Sequence, residues 1–319
     1  MDSIKTMEEL QEVTPAYKQV FQNTFTNSVD KTKIVSTKDN GAITDRDIKI
    51  AEFLFTFRFA TLDEIYRYLE LKNLLEEDTS KSSLKARLDK LVKMYRVLNK
   101  FVLSPYEHSG FDSDELEFYC MDLGGQFLLY NYTDQSETNI CNWRPKNANI
   151  HTSTTVYRDI RIVEFYLKLL NVFGDELIYF KPYKRLVYDK KQLVVTFDFC
   201  IDKGLYGSDN FKYFIGEMVS SEEMFSRFTD SADALEQIVS TNTWRKYYTS
   251  DKAPVIFFFV DDDHDALDIA QKISLRQIEK YRLTTVDLIK GDLSTAFMIY
   301  DKEEQKLKRG KSQFFEKED

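Results

Sequence analysis

The sequence predicts an α+β protein in two parts, a helical N-terminal domain closed by a β-hairpin and a C-terminal α/β domain around a mixed central sheet. Its length of 319 residues is roughly twice a common domain size, enough for two cores. Three amphipathic helical patterns precede residue 94 and are followed by two runs of β-forming residues. Beyond residue 180, strand and helix patterns alternate around Val255–Val260, an apolar run bounded by Pro254 and Asp261, as in a strand buried on both faces.

Residues 1–43 are polar, with one short helical possibility over 7–20 broken by Pro15, and read as a flexible lead-in. Thr44 caps the first helix, whose stripe is Ile48, Ala51 and Phe55. Thr61 and Glu64 form a capping box ahead of Ile65, Tyr66 and Leu69. Behind the connector 76–81, Leu84, Leu88, Leu91 and Val92 line one face of a third helix. Strand-like runs at 97–103 and 116–121 then complete a hairpin. Three helices followed by a hairpin is the order of a winged helix-turn-helix, here spanning 44–130, with a closing helix after Gly124-Gly125.

Residues 131–150, polar and containing Pro145, read as a linker. The second domain, 151–301, opens with a helix over 152–173 carrying Val156, Ile160, Val163, Leu167 and Leu170 on one face. Strands are expected at 186–188, 193–201 and 211–219, with a loop at 204–210. A helix with Ala234, Leu235, Ile238 and Trp244, the buried strand, a helix over 266–273 and a strand over 283–288 follow. Residues 302–319 hold six basic and five acidic residues and read as a frayed charged tail.

The opening residues lack a basic head before an apolar run, and no stretch approaches the ~18 apolar residues of a membrane span, so a soluble, cytoplasmic protein with no membrane partner is expected. Cys120, Cys141 and Cys200 are odd in number and widely spaced, which favours reduced thiols. His108, His151 and His264 are not spaced with them as ligands, so no metal site is expected, and Asp261-Asp262-Asp263 reads as the acidic cap of the next helix. Nucleotide-binding glycine loops, zinc-protease and lipase motifs are missing.

The net charge is −9, which argues against a protein that coats nucleic acid with its whole surface. Between Lys81 and Phe101, however, Lys81, Lys85, Arg87, Lys90, Lys93, Arg96 and Lys100 face only Asp89. Such a local patch marks a candidate contact with double-stranded DNA. The third helix is placed in the major groove, with Ser82 and Ser83 donating to a phosphate near its start, Lys81, Lys85, Lys90 and Lys93 on phosphates, Arg87 also reading a guanine, and Arg96 and Lys100 serving the wing. Asp198 and Glu217 lie near the ends of two successive strands, where paired carboxylates can hold Mg²⁺ for phosphodiester cleavage. Nucleases of the restriction-endonuclease-like fold add a Lys two residues after the Glu. Here that position is Val219, so an inactive remnant is expected, with no enzymatic role and no cofactor, Mg²⁺ entering only if the site is active.

The segments from Thr44 through Phe59-Ala60-Thr61-Leu62-Asp63-Glu64-Ile65, then 84–91 and 118–129, resemble the winged-helix half of the replication-relaxation family of plasmids and integrative elements. Residues 151–160, Phe197-Asp198-Phe199, Phe214-Ile215-Gly216-Glu217, 244–248, 255–260 and Leu283-Thr284-Thr285-Val286-Asp287 are similar to its second half, in the same order. The resemblance implies a DNA-binding protein of a mobile element, acting in replication, mobilisation or conjugative transfer or their transcriptional regulation, with a relaxase or replication initiator as a possible partner. A homodimer would present two half-sites. The alternatives are a Mg²⁺-dependent nuclease using Asp198 and Glu217, and an assembly factor whose first domain packs on another protein.

Overall fold

A computed structural model describes residues 17–25, 28–76, 78–106, 115–134, 137–203, 211–219 and 227–315. The fold is mixed α+β, and the chain divides into two compact units, 1–167 and 168–319.

The first unit holds a four-stranded antiparallel sheet in the order β1 (Tyr17–Phe21), β3 (Leu98–Pro105), β4 (Phe118–Met121), β2 (Phe59–Thr61). Its helices are α1 (Lys31–Asp39), α2 (Asp45–Phe57), α3 (Leu62–Leu71), α4 (Lys81–Lys93), α5 (Leu123–Tyr132) and two short ones, α6 (Glu137–Asn142) and α7 (Pro145–Asn149). Thr44 caps α2 in a box with Asp47, and Thr61 caps α3 in a box with Glu64. The chain turns from α2 straight into β2 and from β2 into α3, so the two helices are separated by only one three-residue strand. Gly124 and Gly125 let the start of α5 press on the turn after α4. A Cβ on Gly124 would stand 2.6 Å from the Arg96 carbonyl oxygen, and one on Gly125 2.6 Å from that of Val97.

Three boundaries expected from sequence change here. Residues 17–43 are not a loose lead-in: β1 pairs with β3, Phe21 and Phe25 pack against the cluster of Phe59, Phe101 and Phe118, and Asn23 exchanges hydrogen bonds with buried Asn99. Residues 1–16 lie outside the described residues. The supposed linker 131–150 carries α6 and α7, and buried Asn149 donates to the Met121 carbonyl oxygen at 2.8 Å. The long helix α8 (Ser153–Phe173) does not open the second domain cleanly, because Val156 and Ile160 complete the aromatic cluster of the first unit and the division falls at residue 167.

The second unit is built on a mixed seven-stranded sheet ordered β13 (Lys306–Arg309), β12 (Met298–Asp301), β11 (Tyr281–Thr285), β10 (Val255–Val260), β9 (Phe211–Met218), β8 (Phe197–Asp202), β5 (Leu177–Pro182). The strands β9, β10 and β11 run parallel and the outer pairs antiparallel. A separate hairpin, β6 (Arg185–Tyr188) and β7 (Lys191–Val194), lies between β5 and β8 in sequence. One sheet face buries Phe197, Phe199, Phe214 and Phe257 in mutual stacks. The other buries Ile215, Ile256, Phe258 and Leu283 with residues of α9 (Arg227–Ser240) and α10 (Asp263–Ser274). As expected, Val255–Val260 is a buried central strand, and Asp262 caps α10 by accepting from the Asp265 amide at 2.8 Å.

Sequence reading passed over β5, although Leu177-Ile178-Tyr179-Phe180 is an unbroken apolar run. The strand expected over 283–288 stops at Thr285, whose hydroxyl caps a helical turn, α11 (Val286–Lys290). The tail is ordered through Phe315, since β13 pairs with β12 and Phe315 packs on Phe173, Phe257 and Phe297. The expected loop 204–210 and the residues after 315 lie outside the described residues. No described helix is long and apolar enough to cross a membrane. All three cysteines are free, Cys120 and Cys200 buried and Cys141 exposed.

Candidate functional site

The helix α4 is anchored by Leu84, Leu88, Leu91 and Val92, all buried, as its sequence pattern requires. Ser80 caps it, its hydroxyl accepting from the Ser83 amide at 3.1 Å. On the outward face Ser82, Ser83, Lys85, Ala86, Lys90, Lys93 and Met94 are exposed. The small residues Ser82, Ser83 and Ala86 thus alternate with Lys81 and Lys85 in its first half, and Lys90 and Lys93 lie toward its end.

The cationic residues divide into two groups. Lys81 pairs with Asp63 at 2.9 Å, Lys85 with Glu117 at 3.1 Å and Lys93 with Asp89 at 3.9 Å, but each lysine keeps about half its side chain in solvent. Lys90 is exposed and makes no ion pair among the described residues. The other three serve the fold, correcting the expected DNA contacts. Arg87 turns inward: Nε donates to Asp47 Oδ1 at 3.0 Å and Nη2 to the Ala42 carbonyl oxygen at 2.7 Å and to Asp47 Oδ2. Arg96, at φ 54° in the turn after α4, donates to Asp122 Oδ2 at 3.1 Å and to the Thr24 carbonyl oxygen at 2.7 Å. Lys100 is only 4% exposed and bridges Asp89 and Glu117, tying α4 to the base of the hairpin.

The linear count of seven cations against one carboxylate thus becomes seven against five, Asp47, Asp63, Asp89, Glu117 and Asp122, in space. Four of these acids lie outside 81–101. A window of sequence cannot register them.

In the second unit, Asp198 and Glu217 come together on one face of neighbouring strands. Asp198 stands opposite Ile215, two positions from Glu217, so alternation aims both carboxylates toward the α9 and α10 side. Asp198 is 0% and Glu217 3% exposed. Tyr179 donates to Asp198 Oδ2 at 3.2 Å, and Thr196 donates to Glu217 Oε2 at 3.0 Å while accepting from the Met218 amide. Burial raises the Asp198 pKa, with the Lys184 charge opposing it. Burial and the Asp198 charge push the Tyr179 and Tyr248 phenols far above their usual value. Val219, where a nuclease lysine is expected, is buried in the apolar cluster. Mg²⁺ is bound with several of its waters retained. Both carboxylates are enclosed, and one oxygen of each accepts from a hydroxyl.

Asp262, His264 and Asp265 bring ligand atoms within 4.8 Å of one another at the start of α10. Asp262 is already spent on capping that helix. Comparison of the chain with protein-family models, with curated proteins and with solved structures finds no match.

Proposed function

We propose that the first unit is a winged helix-turn-helix that binds duplex DNA, with α4 in the major groove and the β3–β4 hairpin as its wing. The observation that carries this reading is the outward face of α4. Ser82, Ser83 and Ala86 leave its first two turns slim, and Lys85, Lys90 and Lys93 stand in solvent beside them. Helix, short strand, helix, helix and hairpin, with β2 pairing to the returning strand β4, is the connectivity a winged helix requires. In the setting suggested by the replication-relaxation resemblance, the protein acts in replication, mobilisation or transfer of a mobile element or in its regulation, in the cytoplasm, beside a relaxase or replication initiator. A homodimer places two such helices on paired half-sites. No reaction is assigned to Asp198 and Glu217.

Because Arg87, Arg96 and Lys100 are committed inside the protein, the phosphate contacts are the exposed lysines. Three or four neutralised phosphates give a slope of log K against log salt of roughly −3 to −4. Fluorescence anisotropy of the full chain on fragments of its own element, over a salt series, measures that slope. Lys90→Glu with Lys93→Glu abolishes the salt-sensitive binding and leaves the folding transition in place. Unaltered duplex affinity in that variant refutes the reading and favours a protein-docking role for this face.

A further inference from the structure

At the ends of β9, β10 and β11 where these strands begin, the second unit has a cleft of about 240 Å³ whose lining contains four cations and no carboxylate. The cations are Lys212, Lys252, Lys280 and Arg282. Phe214, Phe257 and Phe315, all nearly buried, form its floor, and the half-buried Phe314 stands at its rim in the turn after β13. Strand register explains the convergence. Val255 pairs with Phe214 and Phe257 with Arg282, so alternation places Phe214, Phe257 and Arg282 on one sheet face, and Lys212 with them.

Among the described residues no carboxylate lies within 4 Å of Lys212, Lys252, Lys280 or Arg282. Arg282 is half-buried and among the described residues donates one hydrogen bond, from Nη1 to the Tyr281 carbonyl oxygen at 2.8 Å. Buried charges are ordinarily paired, and a guanidinium has five N–H groups to place. Lys212 sits 3.9 Å from the Phe314 ring centroid, with Lys203 5.3 Å from the same ring. Burial lowers the Lys212 pKa, and the Lys203 and Lys252 charges lower it further. Elsewhere in this chain clustered cations recruit carboxylates, as around α4. Here an acidic chain leaves four of them facing a cavity.

We infer that this cleft binds a nucleoside phosphate, its phosphate held by Arg282, Lys212 and Lys252 and its base against the half-buried Phe314 ring. Cations supply the affinity for the phosphate, and flat rings accept any base, the combination used on single nucleic-acid strands. The volume accommodates one nucleotide unit, either free or exposed at the end of a strand. This inference uses the second unit alone and does not depend on duplex binding by α4.

The test titrates the full chain calorimetrically with dAMP, deoxyadenosine and inorganic phosphate, and with a single-stranded oligonucleotide bearing either a 5′-phosphate or a 5′-hydroxyl. Expected is dAMP binding about tenfold or more tighter than either fragment, since one charge-assisted contact is worth ~1.5–3 kcal/mol. Lys212→Ala with Lys252→Ala, both exposed and outside any ion pair among the described residues, weakens dAMP by about tenfold and leaves duplex binding unchanged. Lys90→Glu with Lys93→Glu does the reverse, so failure of either reading is visible without the other. Tighter binding of the 5′-phosphorylated oligonucleotide than of dAMP identifies a strand end as the source; the opposite order identifies a free nucleotide. Absence of dAMP binding, dAMP binding that survives the double substitution, or inorganic phosphate binding as well as dAMP overturns the inference.

Discussion

Arg87→Ala separates a structural cation from a DNA contact. Asp47 is completely buried, and Arg87 supplies its counter-charge through Nε at 3.0 Å and through Nη2. Truncation leaves the carboxylate enclosed, still accepting from the Thr44 amide at 2.7 Å and hydroxyl at 2.9 Å, and orphans the Ala42 carbonyl oxygen. Breaking a buried pair costs ~3–5 kcal/mol. The two remaining hydrogen bonds and the favourable field at the start of α2 place this one near the lower end, about 3 kcal/mol. For a unit of this size each kcal/mol moves the midpoint by ~2–4 °C, so the first unit should melt ~6–12 °C earlier. Circular dichroism measures the shift, and Asp47→Asn in the Arg87→Ala background should recover part of it, since no uncompensated charge remains. Arg87→Lys should not, because one ammonium cannot span both Asp47 oxygens and the Ala42 carbonyl. An unchanged melting temperature with a tenfold loss of duplex affinity would refute the structural role.

Three further outcomes follow from buried groups. Burial, with the Glu164 charge adding to it, raises the Glu64 pKa from its ordinary 4.5 to about 8. Within that window the folded chain holds a proton that the unfolded chain has released, so stability should decline as pH rises from about 4.5 to 8. Glu64→Gln removes this slope, and equal slopes for the two proteins in melts across the range would contradict it. In Gly216→Ala the new Cβ would stand 2.0 Å from the Phe197 ring, overpacking that costs ~1–3 kcal/mol in urea unfolding. Phe197→Leu should recover part of it, and a midpoint unmoved by Gly216→Ala counts against the clash. Asp198→Asn removes a carboxylate whose pKa burial raises, so it should stabilise the second unit at pH 8, with the gain shrinking as pH falls toward the ordinary carboxylate range. Plasmid cleavage by the native chain with Mg²⁺, lost in Asp198→Asn, would show instead that the pair is catalytic.

Local signals carried much of the fold. Thr44 and Thr61 cap α2 and α3 because capping is settled within four residues, and the α4 stripe is buried because its period is its own. What escaped depends on partners distant in sequence. Tyr17–Phe21 is half-buried and becomes a strand only against β3, some eighty residues away, and Phe314 and Phe315 become ordered only where Phe173, Phe214 and Phe257 meet them. The site was legible to the same extent. Lys85, Lys90 and Lys93 are exposed as helical spacing implies, whereas Arg87, Arg96 and Lys100 were misplaced because their partners come from α2, the start of α5 and the hairpin. The cleft of Lys212, Lys252, Lys280 and Arg282 had no sequence signal, its cations being brought together by three parallel strands and the segments leading into them.

The acids around α4 bear on how a chain of net charge −9 would choose its DNA. With five carboxylates among seven cations, this surface has little long-range attraction for a polyanion, and non-specific affinity, which is almost wholly electrostatic, should be weak. Discrimination then falls to contacts that form only when α4 is seated, from Ser82, Ser83 and the lysines beyond them. The network of Lys85, Glu117, Lys100, Asp89 and Lys93 also fixes α4 against the hairpin before any DNA arrives. Part of the ordering entropy of recognition is thereby met during folding. The same carboxylates that dilute the patch therefore hold α4 and the β3–β4 hairpin in register.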